Sequence, residues 1–152
     1  MNEPAYTLQI SSDVLSFTFD SVSSQNVIHK AIEFSPFPAN AIFYNLALLD
    51  VDEDGTTNDL AISNNQDMNR VIATVFKAMR AFFEKHPNKL VYFKGSDETG
   101  IRTRLYRALI SRELEQASEM FAIYGQLTED TYEEFAPNRP YIAFIFQLKH
   151  SR

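Results

Sequence analysis

The residues best suited to holding an anion follow a glycine-serine pair in the second half of the chain. Gly95 and Ser96 come directly after a short apolar strand and precede a predicted helix. A strand that turns into a helix brings free backbone N–H groups and the positive end of the helix dipole to one point, where anions bind. Three arginines and a tyrosine follow, so the predicted ligand site consists of Gly95, Ser96, Arg102, Arg104, Tyr106 and Arg107.

Arg102 differs from the other two arginines because the predicted helix turns it inward. At 100° per residue, Arg102 falls on the same side of the helix as Tyr106 and Leu109. Arg104 and Arg107 fall on or beside the solvent side. A buried guanidinium needs acceptors, since an unpaired buried charge is strongly unfavourable. An acidic side chain, carbonyls at a strand end or a bound anion could supply them, so a structural role and a ligand contact both stay open.

An acidic stretch in the first half of the chain matches part of a calcium-binding loop. Every second residue from position 50 to position 54 is aspartate and Gly55 follows, as in the first six positions of an EF-hand loop. The twelfth position should be a bidentate glutamate, but it is Ala61. The sequence therefore predicts a solvated acidic connection, with no metal site and no cofactor. The weak candidate ligands are Asp50, Asp52, Asp54 and Asp59.

Two further aspartates suggest an alternative, metal-dependent chemistry. Asp20 ends the first predicted strand, and Asp97 follows the fourth. Three strands, a helix, a strand and a second helix is the element order of ribonuclease H-like folds, and two-metal nucleases bind their metals between such carboxylates. This order favours a nuclease or phosphodiesterase, including a toxin-like one, only by analogy of fold. The histidines are isolated at positions 29, 86 and 150, so no zinc site is predicted.

Composition and charge narrow the class of protein. The 152 residues are 45% hydrophobic and 22% charged, which is typical of one folded domain spanning residues 1–152. The chain has no cysteine, and its N-terminus lacks a basic and apolar secretory signal, so we expect a cytoplasmic protein. The net charge of −6 disfavours nonspecific binding to nucleic acid and binding to anionic membranes.

The hydrophobic pattern predicts an α+β fold with the element order βββαβαββ. Alternating or continuously apolar segments predict a mainly antiparallel sheet of about six strands, at residues 14–20, 27–34, 41–51, 90–93, 120–124 and 141–148. The proline-containing segment 35–38 is expected to break the second of these strands, and Gly125 is expected to end the fifth. A Ser-x-x-Gln capping box at Ser63 precedes a first helix that ends before Pro87, and a second helix covers residues 100–117. Both helices are predicted on one face of the sheet.

The first predicted helix has a clear apolar stripe. Its apolar side chains recur at steps of three and four residues, at Val71, Ile72, Val75, Phe76, Met79, Phe82 and Phe83. The opposite side carries Arg70, Lys77, Arg80 and Glu84. This periodicity predicts an amphipathic helix that packs its stripe against the sheet.

Three segments together resemble a family of small bacterial proteins known as a domain of unknown function. They are Asp59-Leu60-x-Ile62-Ser63-Asn64-Asn65-x-Asp67, then Phe93-Lys94-Gly95-Ser96, then Arg102-Thr103-Arg104-Leu105-Tyr106. The Lys-Gly-Ser and Arg-Thr-Arg-Leu-Tyr segments are the most specific part of this resemblance. It implies bacterial origin and one domain, and it implies no activity.

The sequence favours a non-enzymatic cytosolic module that binds a partner protein or a small anionic ligand. The expected anion or nucleotide site is the strand-turn-helix segment from Gly95 to Arg107. No complete catalytic motif occurs in the sequence, which disfavours an enzyme. The alternative is the metal-dependent nuclease or phosphodiesterase that uses Asp20 and Asp97.

Overall fold

A computed structural model describes residues 5–22, 27–51, 54, 57–58, 67–94, 108, 111 and 117–149. The strands are β1 (Gln9–Ile10), β2 (Ser16–Val22), β3 (Val27–Phe37), β4 (Asn40–Val51), β5 (Thr57–Asn58), β6 (Leu90–Phe93), β7 (Phe121–Thr128), β8 (Thr131–Glu134) and β9 (Ala143–Leu148). They form one sheet with the order β1-β2-β3-β4-β6-β9-β7-β8, and β5 pairs with β4. Only β4 and β6 are parallel neighbours among the described pairs. The α+β class and the mainly antiparallel sheet are confirmed.

The described sheet has more strands than the six that were predicted. The additional strands are β1, β5 and β8, of which β1 and β5 have two residues each. Two residues are too short to show an alternating pattern. The third, β8, has the sequence TYEE, which contains no apolar alternation that would predict a strand.

The structure corrects the predicted end of β3. The proline-containing segment 35–38 was expected to break this strand, but β3 continues through Pro36 to Phe37. The register with β4 shifts between Pro36 and Phe37, and β2 pairs with β3 only as far as Glu33. Proline has no N–H to donate, and it is tolerated there because it lies at a bulge and past the last residue of β3 that pairs with β2.

The boundaries of β7 also differ from the prediction. Gly125 does not end this strand, because β7 continues to Thr128. Met120 is helical, as are the other residues of 117–120 and the isolated described positions 108 and 111. The rest of the second predicted helix lies outside the described residues. Ala117 packs into the main core cluster.

The first helix, α1, runs from Met68 to Lys85 and ends before Pro87 as predicted. The predicted capping box at positions 63–66 lies outside the described residues. Every residue of the predicted stripe is buried. Phe82 stacks on Phe34 of β3 with ring centroids 4.4 Å apart, and Phe76 contacts Phe121 of β7 and Phe146 of β9. We call the sheet face that contacts α1 the inner face and the opposite one the outer face.

The residues before β1 contact the remaining side of α1. The backbone N–H of Tyr6 donates to Thr74 Oγ1 over 2.8 Å, and Lys77 Nζ donates to the Tyr6 carbonyl over 3.3 Å. The Arg70 guanidinium lies 3.9 Å from the centroid of the Tyr6 ring. Arg70 was predicted on the solvent side of the helix, but it is half-buried beside Tyr6.

The Tyr6 hydroxyl ties this segment to both β2 and α1. It donates to Asp67 Oδ2, and it accepts from the Val22 N–H over 3.1 Å. Ser21 Oγ also donates to Asp67 Oδ2, over 2.5 Å. Burial and the neighbouring Asp67 carboxylate raise the pKa of Tyr6 above its ordinary value. Asp67 therefore joins three parts of the fold at the start of α1, and its side chain makes no capping bond to the helix.

Truncating an aromatic residue of the stripe should destabilise the fold far more than truncating a residue on the solvent side of α1. Phe76→Ala is expected to lower the free energy of unfolding by about 3 to 5 kcal/mol, because it opens a cavity between α1 and the sheet. Arg80→Ala should change it by no more than about 0.5 kcal/mol, since Arg80 is exposed. Urea denaturation measures both values, and equal losses would show that the helix packs with a different face.

Candidate functional site

Most residues of the site predicted from sequence lie outside the described residues. This holds for Gly95, Ser96, Arg102, Arg104, Tyr106 and Arg107, and also for Asp52, Asp59 and Asp97. The anion site therefore stays a prediction. The structure does place Asp20, Asp50 and Asp54, and it brings Asp20 together with a residue that the sequence analysis had set aside.

Asp20 pairs with His29 across β2 and β3. The two residues are directly opposite in the antiparallel register, and His29 Nδ1 lies 2.5 Å from Asp20 Oδ1. An ionised carboxylate can only accept, so the imidazole nitrogen donates. The side chains of His29 and Asp20 are 57% and 54% exposed, so the pair is open to a ligand.

The pair lies on the outer face of the sheet. Along β2, Phe17, Phe19 and Ser21 are buried, whereas Thr18 and Asp20 are exposed. Successive side chains of a strand point to opposite faces, so Asp20 lies opposite the face that packs against α1. A single pattern of alternation thus buries the core residues and leaves the carboxylate accessible.

A groove of about 410 Å³ surrounds this pair. Its walls come from the segment before β2, from β2 and β3, and from the end of β4, with the lining residues Thr7, Gln9, Thr18, Phe19, Asp20, His29, Lys30 and Val51. The first two strands pair only at Gln9 with Thr18 and at Ile10 with Phe17. Their ladder stops short of Asp20, and the groove opens there.

The groove is rich in hydrogen-bond acceptors. When His29 is neutral and Nδ1 donates to Asp20, the other ring nitrogen carries a lone pair and accepts. Asp20 keeps acceptor capacity beyond its bond to His29, and the Thr7 and Thr18 hydroxyls and the Gln9 amide can each accept as well as donate. The arrangement suits a ligand that donates several hydrogen bonds.

Lys30 borders the groove, but its charge is neutralised on the inner face. Lys30 Nζ lies 2.6 Å from Asp50 Oδ1, and the two side chains are only 6% and 14% exposed. Asp50, the first of the weak calcium candidates, is therefore part of a buried ion pair. Asp54 is exposed. Within the described part of the chain, no cluster of three or more acidic, histidine or cysteine side chains is arranged to hold a metal ion.

The strand order does not favour the two-metal alternative. The strand after α1 is β6, which pairs with β4. Strands β3 and β4 therefore lie between β6 and β2, the strand that carries Asp20. Three strand spacings amount to about 14 Å, whereas paired catalytic metals lie about 3.5 to 4 Å apart. Asp97 itself lies outside the described residues, so the two-metal alternative stays a prediction.

A second polar cluster, at β8, holds the other edge of the sheet together. Arg139 donates to both carboxylate oxygens of Glu133, at 2.8 and 3.0 Å, and the Tyr141 hydroxyl donates to the same carboxylate at 2.7 Å. These bonds hold the pKa of Glu133 below its ordinary value, and burial raises that of Tyr141. Since the Glu133 carboxylate already accepts hydrogen bonds from Arg139 and Tyr141, we interpret this cluster as a structural contact at the β8 edge and not as a ligand site.

The groove contains residues that the sequence analysis missed. His29 was set aside as isolated in sequence, and Thr7, Gln9 and Thr18 carried no motif. The missing signal was the register of the β2–β3 hairpin, in which paired residue numbers add to a constant and Asp20 faces His29. Applied to the sequence, this rule places the Asp20 carboxylate directly opposite the His29 imidazole.

Comparisons with known proteins give a family but no activity. A family model described as a family of unknown function, DUF6934, matches residues 2–149. Neither the search of curated proteins nor the search of solved structures gave a significant match. Among the described residues, no helix combines the length and apolar character needed to span a membrane. The expected resemblance to an uncharacterised family is confirmed, and since the match covers nearly the whole sequence, the chain belongs to the family of unknown function DUF6934.

Proposed function

We propose that this protein is a binding module that takes a cationic nitrogen group, an ammonium or a guanidinium, in the groove beside Asp20 and His29. The observation that carries the proposal is the Asp20–His29 contact in an open groove. The proposal keeps the binding-module interpretation of the sequence and gives it a site among the described residues. The anion site at 95–107 remains a separate prediction.

The chemistry of the groove supports a cationic ligand. Charge-assisted hydrogen bonds from an ammonium or guanidinium to a carboxylate are about twice as strong as neutral ones. The second acceptor on His29 and the nearby threonine hydroxyls can receive the remaining donors of such a group. An anionic ligand would be repelled by Asp20 and would find no unpaired cation in the lining, because Lys30 is paired with Asp50.

The charge of the whole chain supports the same choice. A net charge of −6 raises the local concentration of cations near the surface and speeds their association.

Removing the Asp20 charge should weaken binding of a guanidinium probe about tenfold. The expected dissociation constant of arginine amide for the unmodified protein is in the millimolar range, since the site is open to water. Asp20→Asn keeps the size of the side chain but loses a charge-assisted bond that contributes about 1.5 kcal/mol, which corresponds to about a tenfold change. Binding is measured by NMR titration of each protein.

Asp130→Asn is the matched control, because it removes one negative charge from an exposed turn between β7 and β8. This variant should bind arginine amide within about twofold of the unmodified protein, since long-range charge effects are screened at physiological salt. Spermidine, as an ammonium probe, distinguishes a general cation site from one that requires a planar guanidinium. Equal weakening in the two variants would contradict the proposal, because it would mean that only net charge matters.

A further inference from the structure

One edge of β2 is covered by β1 over only part of its length. In an antiparallel strand, the backbone N–H and C=O groups of alternate residues face the same neighbour. The Leu15 carbonyl, just before β2, accepts from the Phe34 N–H of β3 over 2.8 Å. The odd-numbered residues of β2 therefore face β3, and the backbone groups of residues 16, 18, 20 and 22 face the other edge.

The first two of these four residues are bonded by the chain around β1. The Ser16 carbonyl accepts from the Ser11 N–H over 2.9 Å. Thr18 pairs with Gln9, and this is the last pair of the β1–β2 ladder in this direction. Such contacts protect an edge strand from pairing with another chain.

Asp20 is the residue at this edge whose backbone has no partner in the described part of the chain. Beyond it, the Tyr6 hydroxyl accepts from the Val22 N–H over 3.1 Å, and its oxygen lies 3.3 Å from the Val22 carbonyl oxygen. Thr7 would lie opposite Asp20 if the β1–β2 register continued, but no backbone hydrogen bond joins them. The chain leaves the edge there, because the Tyr6 N–H donates to Thr74 of α1. The Asp20 N–H and C=O therefore open into the groove, which Thr7 and Asp20 both line.

An open backbone N–H and C=O at a strand edge are the groups that an extended peptide binds. One peptide residue can exchange two hydrogen bonds with Asp20, as in any hydrogen-bonded antiparallel pair. The side chain of that residue then lies on the same sheet face as the Asp20 side chain, with the two Cβ atoms about 5.5 Å apart. An arginine or lysine at this position reaches the Asp20 carboxylate and extends towards His29 on the next strand. The backbone and the side chains of the groove thus suit one and the same residue.

The size of the groove limits the peptide to a short segment. Its volume of about 410 Å³ is near the lower end of the range of about 300 to 1,000 Å³ for ligand pockets. Thr18 and Val22, the edge residues on either side of Asp20, are already bonded. A longer strand would therefore find no further backbone partners on β2.

We propose that the groove binds a short extended peptide in which an arginine or lysine pairs with Asp20 through its backbone as well as its side chain. This inference rests on the proposed function, because it assigns the cationic group to a residue of a peptide. A small amine would satisfy the carboxylate alone and leave the Asp20 N–H and C=O to water. A peptide uses both sets of groups.

Two probes separate a peptide site from a general cation site. Acetyl-Ala-Arg-Ala-amide should bind about tenfold more tightly than methylguanidinium, because it adds two backbone hydrogen bonds, each of which contributes a few-fold in affinity. Methylation of the arginine backbone nitrogen removes the donor to the Asp20 carbonyl and should abolish this gain. Methylation of the last alanine nitrogen is the matched control, since that N–H faces away from β2, and it should change binding by no more than about twofold. NMR titration measures all four dissociation constants.

Hydrogen exchange of the Asp20 amide gives a second readout on the unmodified protein. In the free protein this amide should exchange faster than those of Phe19 and Ser21, which face β3. With the peptide at about twenty times its dissociation constant, the exchange of the Asp20 amide should slow about twentyfold. Methylguanidinium at the same occupancy should leave it unchanged, because it offers no carbonyl to this N–H.

The outcomes distinguish this inference from the proposed function. If methylguanidinium binds beside Asp20 but the peptide methylated at arginine binds as tightly as the unmodified one, the cation site stands and the peptide inference is overturned. An Asp20 amide that exchanges as slowly in the free protein as those of Phe19 and Ser21 would also overturn the inference, since its N–H would then already be bonded. If neither methylguanidinium nor the peptide binds in the groove, both proposals are wrong.

Discussion

Gly125→Ala is expected to destabilise the protein by about 3 kcal/mol, the upper end of the range for overpacked cores. A methyl group on Gly125 would lie well inside 3.0 Å of three ring carbons of Tyr141. The ring cannot move aside easily, because Tyr141 is buried and its hydroxyl accepts from the Ala136 N–H over 2.9 Å. The same hydroxyl donates to Glu133. Urea denaturation of both proteins measures the loss.

A double-mutant cycle separates this steric effect from a preference of the backbone for glycine. In a Tyr141→Leu background the ring is gone, and the Gly125→Ala change should then reduce stability by less than about 1 kcal/mol. A loss of the same size in both backgrounds would mean that Tyr141 is not the obstacle and that its ring does not pack against Gly125 of β7.

Lys30→Met should lower the free energy of unfolding by about 3 to 5 kcal/mol, because it removes the cation from an ion pair whose side chains are only 6% and 14% exposed. The expected loss is large because the pair lies on the inner face, with Lys30 opposite Asp50 in the β3–β4 register. Adding Asp50→Leu to this variant should restore most of the stability, since a hydrophobic pair of similar volume often replaces a buried ion pair without loss. Thermal and urea unfolding of the single and double variants give the comparison.

The exposed ion pair of Arg139 and Glu133 provides the control. Arg139→Met removes a cation in the same way, but from a side chain that is 47% exposed, so water can solvate the remaining carboxylate. Its loss should stay below about 1 kcal/mol. If the Lys30 and Arg139 variants lost equal stability, the Lys30–Asp50 pair would have to be solvated and not buried.

Elements with a long and regular apolar pattern could be predicted from the sequence. The α1 stripe is buried as expected, and β6 has the predicted bounds 90–93, because tertiary contacts there agree with the local pattern. The Pro36 and Gly125 predictions were wrong for a different reason. Both residues were interpreted as local strand breakers, but Pro36 lies at a bulge and Gly125 makes room for a ring from another segment. Such a contact between distant segments leaves no local signal.

Lys30 shows a signal that was present but not used. It lies between Ile28 and Ile32 in the alternation of β3, so its phase places it on the apolar face. A lysine in that phase requires an acidic partner on the neighbouring strand, and Asp50 of the acidic stretch supplies it. The alternation in β3 therefore carries a signal for the Lys30–Asp50 ion pair, although the acidic stretch was predicted only as a solvated connection with a weak calcium motif.

The candidate site could be predicted only in part. Asp20 was singled out for its place at a strand end, but the partner assigned to it was Asp97, on the analogy of element order. Element order does not determine which strands become neighbours, and the strand after α1 joins β4 instead of β2. The pairing with His29 follows from hairpin register alone.

The most direct test of the proposed function is a map of where arginine amide binds. In two-dimensional NMR spectra of the ¹⁵N-labelled chain, we expect the amide signals of Thr18, Asp20 and His29 to shift together as the probe reaches about 20 mM, well above a millimolar dissociation constant. The amide of Asp130, on the far edge of the sheet, should stay in place. Shifts at Asp130 as large as those at Asp20, or no shift in the groove at this concentration, would contradict the account.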